Sequence, residues 1–156
     1  MNENSAGAVV FFIEGKTIKV LAIVQNNTNG EEWFDMPKGH VERGESLLRA
    51  AQREIREEIG LMLHIDSNFK EENKYVYTSK DPKTGKSTRI SKSATFFLAF
   101  MHVSERRQIV LSPEHKRYYF LTIDDAIEKA KFENQKTLLQ KAKTYITRHY
   151  ILHEVN

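Results

Sequence analysis

Residues 45–60 constrain this chain more than any other stretch. Leu47, Leu48, Ala51, Ile55 and Ile59 fall on one stripe at 3.6 residues per turn, and Gly60 follows as a stop signal. The spacing predicts a helix over Glu45–Ile59 with one face against a core. Glu54, Glu57 and Glu58 stand at i, i+3 and i+4 on that helix, so three carboxylates share the face beside the stripe. Like charges so placed cost an isolated helix roughly a few tenths of a kcal/mol per pair and return nothing structural. A divalent cation reverses the sign, because carboxylates with room for water suit Mg²⁺ or Mn²⁺. Arg49 and Arg56 point away from the acids, and Arg53 is placed to pair with Glu45. Gly39 and Gly44 allow backbone shapes that would bring a carbonyl to a metal.

The rest of the chain supplies layers for that helix to cover. Val9–Ile13 and Thr17–Val24 are apolar, β-branched and aromatic runs joined by a hairpin turn at Glu14–Lys16. Trp33–Met36 reads as a short strand stopped by Pro37, and Lys38–Gly44 as a loop. Leu61–Ile65 and Lys74–Thr78 are strand candidates around a charged loop. Ala94–Val103 is the strongest buried strand, and Tyr118–Leu121 a shorter one. Thr122 caps a helix running to Lys131, with two aspartates in its first turn, and Asn134–Leu152 is a long amphipathic helix. Strands and helices alternate without a linker or repeat over 156 residues, so the expectation is one α/β (α+β) domain spanning residues 1–156.

Composition removes several function classes. With no cysteine there is no disulfide scaffold, thiolate nucleophile, iron–sulfur cluster or Cys-type zinc site. The six histidines show no zinc-ligand spacing. Twenty-four basic against 21 acidic residues is too even for bulk nucleic-acid binding. The exception is local: seven basic residues between Lys70 and Lys92 outnumber three acids, a surplus that would draw a polyanion to one rim. Gly85-Lys86-Ser87 echoes a phosphate loop, but Lys80 stands where the first glycine belongs. No apolar run reaches the ~18–20 residues of a membrane span, and Met1–Ala8 is polar rather than signal-like. A cytoplasmic protein, monomeric, with no membrane or stable nucleic-acid partner is expected.

The set Gly39, Glu45, Arg53, Glu54, Ile55, Glu57, Glu58, Gly60 and Leu61 resembles, without a miss, the 23-residue signature of the Nudix hydrolases. Seven fixed residues at about one in fifteen each make a chance match rarer than about one in a million. The resemblance implies the Nudix fold, a mixed β-sheet sandwiched between α-helices, with the signature forming a loop–helix–loop. It implies hydrolysis of a nucleoside diphosphate linked to another group, with water attacking phosphorus and Mg²⁺ (or Mn²⁺ as a substitute) held by the Gly39 carbonyl, Glu54, Glu57 and Glu58. Glu58 is the expected general base.

Outside the signature, Pro37-Lys38-Gly39-His40-Val41-Glu42 and Leu111-Ser112-Pro113-Glu114-His115, followed by Tyr118, are similar to segments of the asymmetrical diadenosine tetraphosphate hydrolases. That likeness implies a dinucleoside polyphosphate as the small-molecule substrate. It implies Glu114 as a further metal ligand or base, Lys38, His40 and Lys92 on phosphates, and Tyr75 and Tyr118 beside the polyphosphate or stacked on adenine. Phe34 stands where many of these enzymes have Trp, which bears on base contacts more than on phosphate chemistry. Two other readings compete: removal of pyrophosphate from RNA 5′ ends or cleavage of another linked nucleotide, and a non-catalytic nucleotide-binding module.

Overall fold

The computed structural model describes residues 2–26, 29–114 and 117–152. Seven strands among them form a mixed sheet: β1 Asn2–Glu14, β2 Thr17–Asn26, β3 Glu32–Asp35, β4 Lys38–His40, β5 His64–Lys80, β6 Ser87–Phe100 and β7 Tyr118–Thr122. The main path runs β3-β2-β1-β6-β5, with β4 on β1 and β7 on β2. The β1–β6 pairing is parallel, and every other pairing is antiparallel. Helix α1 (Leu47–Ile59) covers one face. Helices α2 (Ile123–Lys129) and α3 (Glu133–Ile146), followed by a π turn at Thr147–Ile151, cover the other.

Strand β1 shows how two cores arise from one strand. Ala6, Ala8, Val10 and Phe12 enter the cluster beneath α1, while Val9 and Phe11 enter the cluster beneath α3, the period-two alternation of a strand buried on both faces. Phe97 and Ala99 of β6 join the first cluster, and Phe96 and Leu98 join the second. From the helices, Ala50, Ala51, Ile55 and Ile59 close one side, and Leu138, Leu139, Ala142 and Ile146 the other.

The signature helix starts two residues later than its sequence pattern, at Leu47 rather than Glu45. Ser46 is the N-cap, its hydroxyl accepting from the Arg49 N–H at 3.1 Å. Gly60 ends the helix in the left-handed region at φ 74°, donating its N–H to Arg56 O, and a side chain there would be strained. Thr122 caps α2 as its sequence predicts, accepting from Asp125 N–H at 3.2 Å.

Four local expectations are corrected. Polar Asn2–Ala8 is strand, because it pairs in parallel with Ser91–Phe97 and its backbone groups are satisfied there. The supposed loop at Lys38–Gly44 opens with β4, which pairs Lys38–His40 with Gly7–Ser5. The two strand candidates from Leu61 to Thr78 are one strand, β5, whose register against β6 shifts between Asp66 and Glu71. That bulge falls in the charged stretch, where Asp66 accepts from the hydroxyls of Tyr145 and Tyr150, each at 2.9 Å. Finally, the last helix is regular only to Ile146 and continues as the π turn.

Candidate active site

The signature is organised around one guanidinium. Arg53 Nε and Nη2 donate to the two Glu45 carboxylate oxygens at 2.8 and 2.9 Å, so the pair its sequence position suggests is formed, in bidentate geometry. Nη2 also donates to the His40 carbonyl at 2.8 Å, and Nη1 reaches Glu54 at 2.8 Å and Glu57 at 3.2 Å. Glu45 in turn accepts from the Glu42 backbone N–H at 3.0 Å, which closes the loop onto the helix. These bonds to Arg53 and the Glu42 N–H hold the Glu45 carboxyl down at about 2.

Gly39 lies opposite Ala6 across the β4–β1 pair and faces α1. The Glu54 carboxylate fills the space a side chain would take: a Cβ on Gly39 would stand 2.1 Å from Glu54 Cδ. Only glycine lets β4 and this carboxylate approach so closely. Glu58 is half-buried one turn further on. Burial first, and then the negative charges of Glu54 and Asp35, push its carboxyl up to about 8, against the opposing pull of Lys38. Among the described residues no three carboxylate or imidazole groups converge as ready-made metal ligands, Glu54 and Glu57 both being turned onto Arg53.

Lys38 joins this acidic centre to a cleft on the other face of the sheet. Its ammonium donates to the Asp35 carboxylate and lies within electrostatic reach of both Tyr75 and Glu58. Burial, the largest single influence, works to lower its pKa, but the charge and hydrogen bond of Asp35 together with Tyr75 and Glu58 outweigh it, so the lysine stays charged with a raised value. The cleft has a volume of about 450 Å³ and takes its lining from three remote segments. Trp33 and Asp35 come from β3, Tyr75, Tyr77 and Lys92 from the β5–β6 hairpin, and Phe132 and Gln135 from the start of α3. Tyr75 sits directly across from Lys92 in the hairpin register. Lys131 Nζ lies 4.1 Å from the centroid of the Trp33 ring, a cation–π contact at the cleft margin.

Lys38, Tyr75 and Lys92 therefore line one cleft. His40 is exposed and touches the site through its carbonyl. Glu114 is exposed on a loop tied to the end of α1: Val110 N–H donates to Ile59 O at 3.0 Å and Ser112 N–H to Glu58 O at 2.8 Å. His115 of the same motif lies outside the described residues. Tyr118 is not in the cleft. It pairs with Ile23 in the sheet and packs against Phe120 and the core beneath α1. Of the seven basic residues between Lys70 and Lys92, Lys92 alone lines the cleft, because strand alternation turns Lys74 and Arg89 to the opposite face. Trp33, Asp35, Tyr77, Phe132 and Gln135 escaped the sequence reading, since each is ordinary in its own segment and only the fold brings them together.

The NUDIX domain family matches residues 1–142. This chain belongs to the Nudix family. Among curated Nudix proteins it is 35% identical over 122 residues to the asymmetrical bis(5′-nucleosyl)-tetraphosphatase of Sus scrofa, covering 76% of each chain. It is 32% identical over 137 residues to the enzyme of that name from Rattus norvegicus, covering 86% of this chain and 84% of the relative. Its fold superposes on a C. elegans Ap4A hydrolase binary complex with a TM-score of 0.74 at 26% identity, over 93% of this chain and 98% of that one. Its place among these Nudix enzymes makes it a hydrolase of phosphoanhydride bonds.

Proposed function

We propose that this protein hydrolyses diadenosine tetraphosphate asymmetrically, giving ATP and AMP, with Mg²⁺ bound at the signature acids and Mn²⁺ as a substitute. The observation that carries the reading is the position of Lys38, which links the acidic face of α1 to an aromatic and basic cleft of nucleotide size. The relatives named for this reaction support the substrate.

The donor set fits a hard divalent cation. Its groups are carboxylate and carbonyl oxygens, the Gly39 backbone approaches Glu54 with no side chain between, and burial together with the nearby Glu54 and Asp35 carboxylates disfavours an ionised Glu58, a penalty a cation would relieve. Gly39 O, Glu54, Glu57 and Glu58 would hold the ion, with Glu114 joining from its loop. The ion supplies neutralisation of phosphate oxygens and a more acidic water. The chain's own groups do the rest. Lys38 and Lys92 place positive charge beside the polyphosphate, and the Asp35 contact keeps Lys38 aimed. Tyr75, Tyr77, Trp33 and Phe132 offer flat faces to a purine, where stacking is worth about 1–3 kcal/mol per base. Glu58 accepts the proton of the attacking water when ionised, and Arg53 fixes the loop and the acids around it.

The test is product analysis by ion-exchange chromatography with Mg²⁺ present. Equal amounts of ATP and AMP, formed far faster than products of NADH, ADP-ribose or dNTPs, are expected. Two ADP per substrate, or a clear preference for triphosphorylated RNA, overturns the proposed reaction. Tight nucleotide binding without turnover would make the chain a binding module instead.

A further inference from the structure

Among the described residues, Gln135 Oε1 at the cleft is a buried acceptor without a hydrogen-bond donor. Gln135 is 5% exposed and lines the cleft from the first turn of α3. Its Nε2 donates to the Phe34 carbonyl at 3.0 Å and lies 3.9 Å from Met36 Sδ. A carbonyl oxygen cannot donate, so this contact fixes the amide orientation: the nitrogen faces β3 and Oε1 faces the other way. Oε1 has no donor within hydrogen-bond distance among the described residues. A buried acceptor left so is costly, and native proteins retain few of them. The other orphaned side-chain oxygen, on Asn134, does not line the cleft.

We propose that Gln135 is the base-selecting residue of this cleft, its Oε1 accepting from the exocyclic amino group of adenine; the inference rests on the nucleotide reading above. The aromatic faces of the cleft hold any purine without distinguishing its edge, because every base has a π-face. Edge selection requires a polar group of fixed direction, and the Phe34 contact supplies that direction. Adenine presents an N–H donor at position 6. Hypoxanthine and guanine present a carbonyl oxygen there, which would face Oε1 lone pair to lone pair. Because Oε1 is shielded in the free protein, the base must displace a covering side chain to reach it. Phe132, three residues earlier, lines the same cleft and is 47% exposed. Phe34 and Met36 are buried, so the anchor of the amide does not move with it.

The experiment compares kcat/KM for diadenosine and diinosine tetraphosphate, which differ in this edge and not in their phosphates. The native enzyme should prefer adenine by about tenfold or more. In Gln135→Met the preference should fall to within about threefold while both compounds are still cleaved. Equal efficiency in the native enzyme, or a preference that survives Gln135→Met, overturns the proposal. Cleavage of neither compound by the native enzyme overturns the nucleotide reading instead. Should the variant fail to fold, the Gln135 side-chain amide signals in a ¹⁵N spectrum of the native protein decide. They should shift with AMP and not with IMP, and equal shifts refute the assignment.

Discussion

Gly39→Ala isolates the contact on which the acidic centre is built. Gly39 is not among the glycines with positive φ, so alanine adds no backbone strain to β4. Its methyl carbon would stand 2.1 Å from Glu54 Cδ and 2.2 and 2.3 Å from the two oxygens. Ordinary contact begins at 3.4 Å, so the carboxylate must retreat by about 1.3 Å. That retreat also loosens its 2.8 Å bond to Arg53. A misplacement of about 1 Å in a catalytic constellation costs on the order of 10²-fold. The expected result is therefore a hundredfold or greater fall in kcat/KM for diadenosine tetraphosphate, with a steeper dependence on Mg²⁺ concentration. The thermal midpoint should move by no more than about 4 °C, the shift about 1 kcal/mol produces in a chain of this size. A folded Gly39→Ala protein with kcat/KM within about threefold of native would show that the closeness of β4 to Glu54 has no part in the chemistry.

Two further predictions follow from neighbouring charges. Arg53→Lys keeps the charge but loses the planar fork, so it cannot serve Glu45, Glu54, Glu57 and the His40 carbonyl together. It should cost about 1–3 kcal/mol in urea unfolding and at least tenfold in rate, and an unchanged value for either would remove Arg53 as the organiser. Glu58 gives a pH signature in EDTA. Its folded value of about 8 exceeds the ordinary 4.5, so the folded chain holds this proton more tightly than the unfolded one. Stability should thus fall as pH rises from about 5 to 8, by on the order of 2–4 kcal/mol relative to Glu58→Gln measured alongside. Parallel stability curves for the two proteins would mean that Glu58 ionises normally.

Legibility in the sequence tracked the distance over which each feature is determined. The signature helix and its Gly60 stop were readable because helical periodicity fixes neighbours at three and four residues, whereas its start, capped by Ser46 and leaving Glu45 in the loop, was not. The strand at Asn2–Ala8 was not, because its polar and small residues are held by backbone pairing to residues some ninety positions away. The charged stretch of β5 looked like a loop because its bulge is stabilised by two tyrosines from the far end of the chain.

The sequence alone determined the α/β layering, the acidic helix face and the chemistry that face can support, since burial stripes and carboxylate spacing are properties of one local segment. The tertiary structure alone decided which residues share the cleft. It excluded Tyr118, turned most of the basic hairpin away and brought in Trp33, Phe132 and Gln135. The physical reason is register: a strand's faces alternate every residue, so which side chains meet across a sheet depends on a pairing that no single segment encodes.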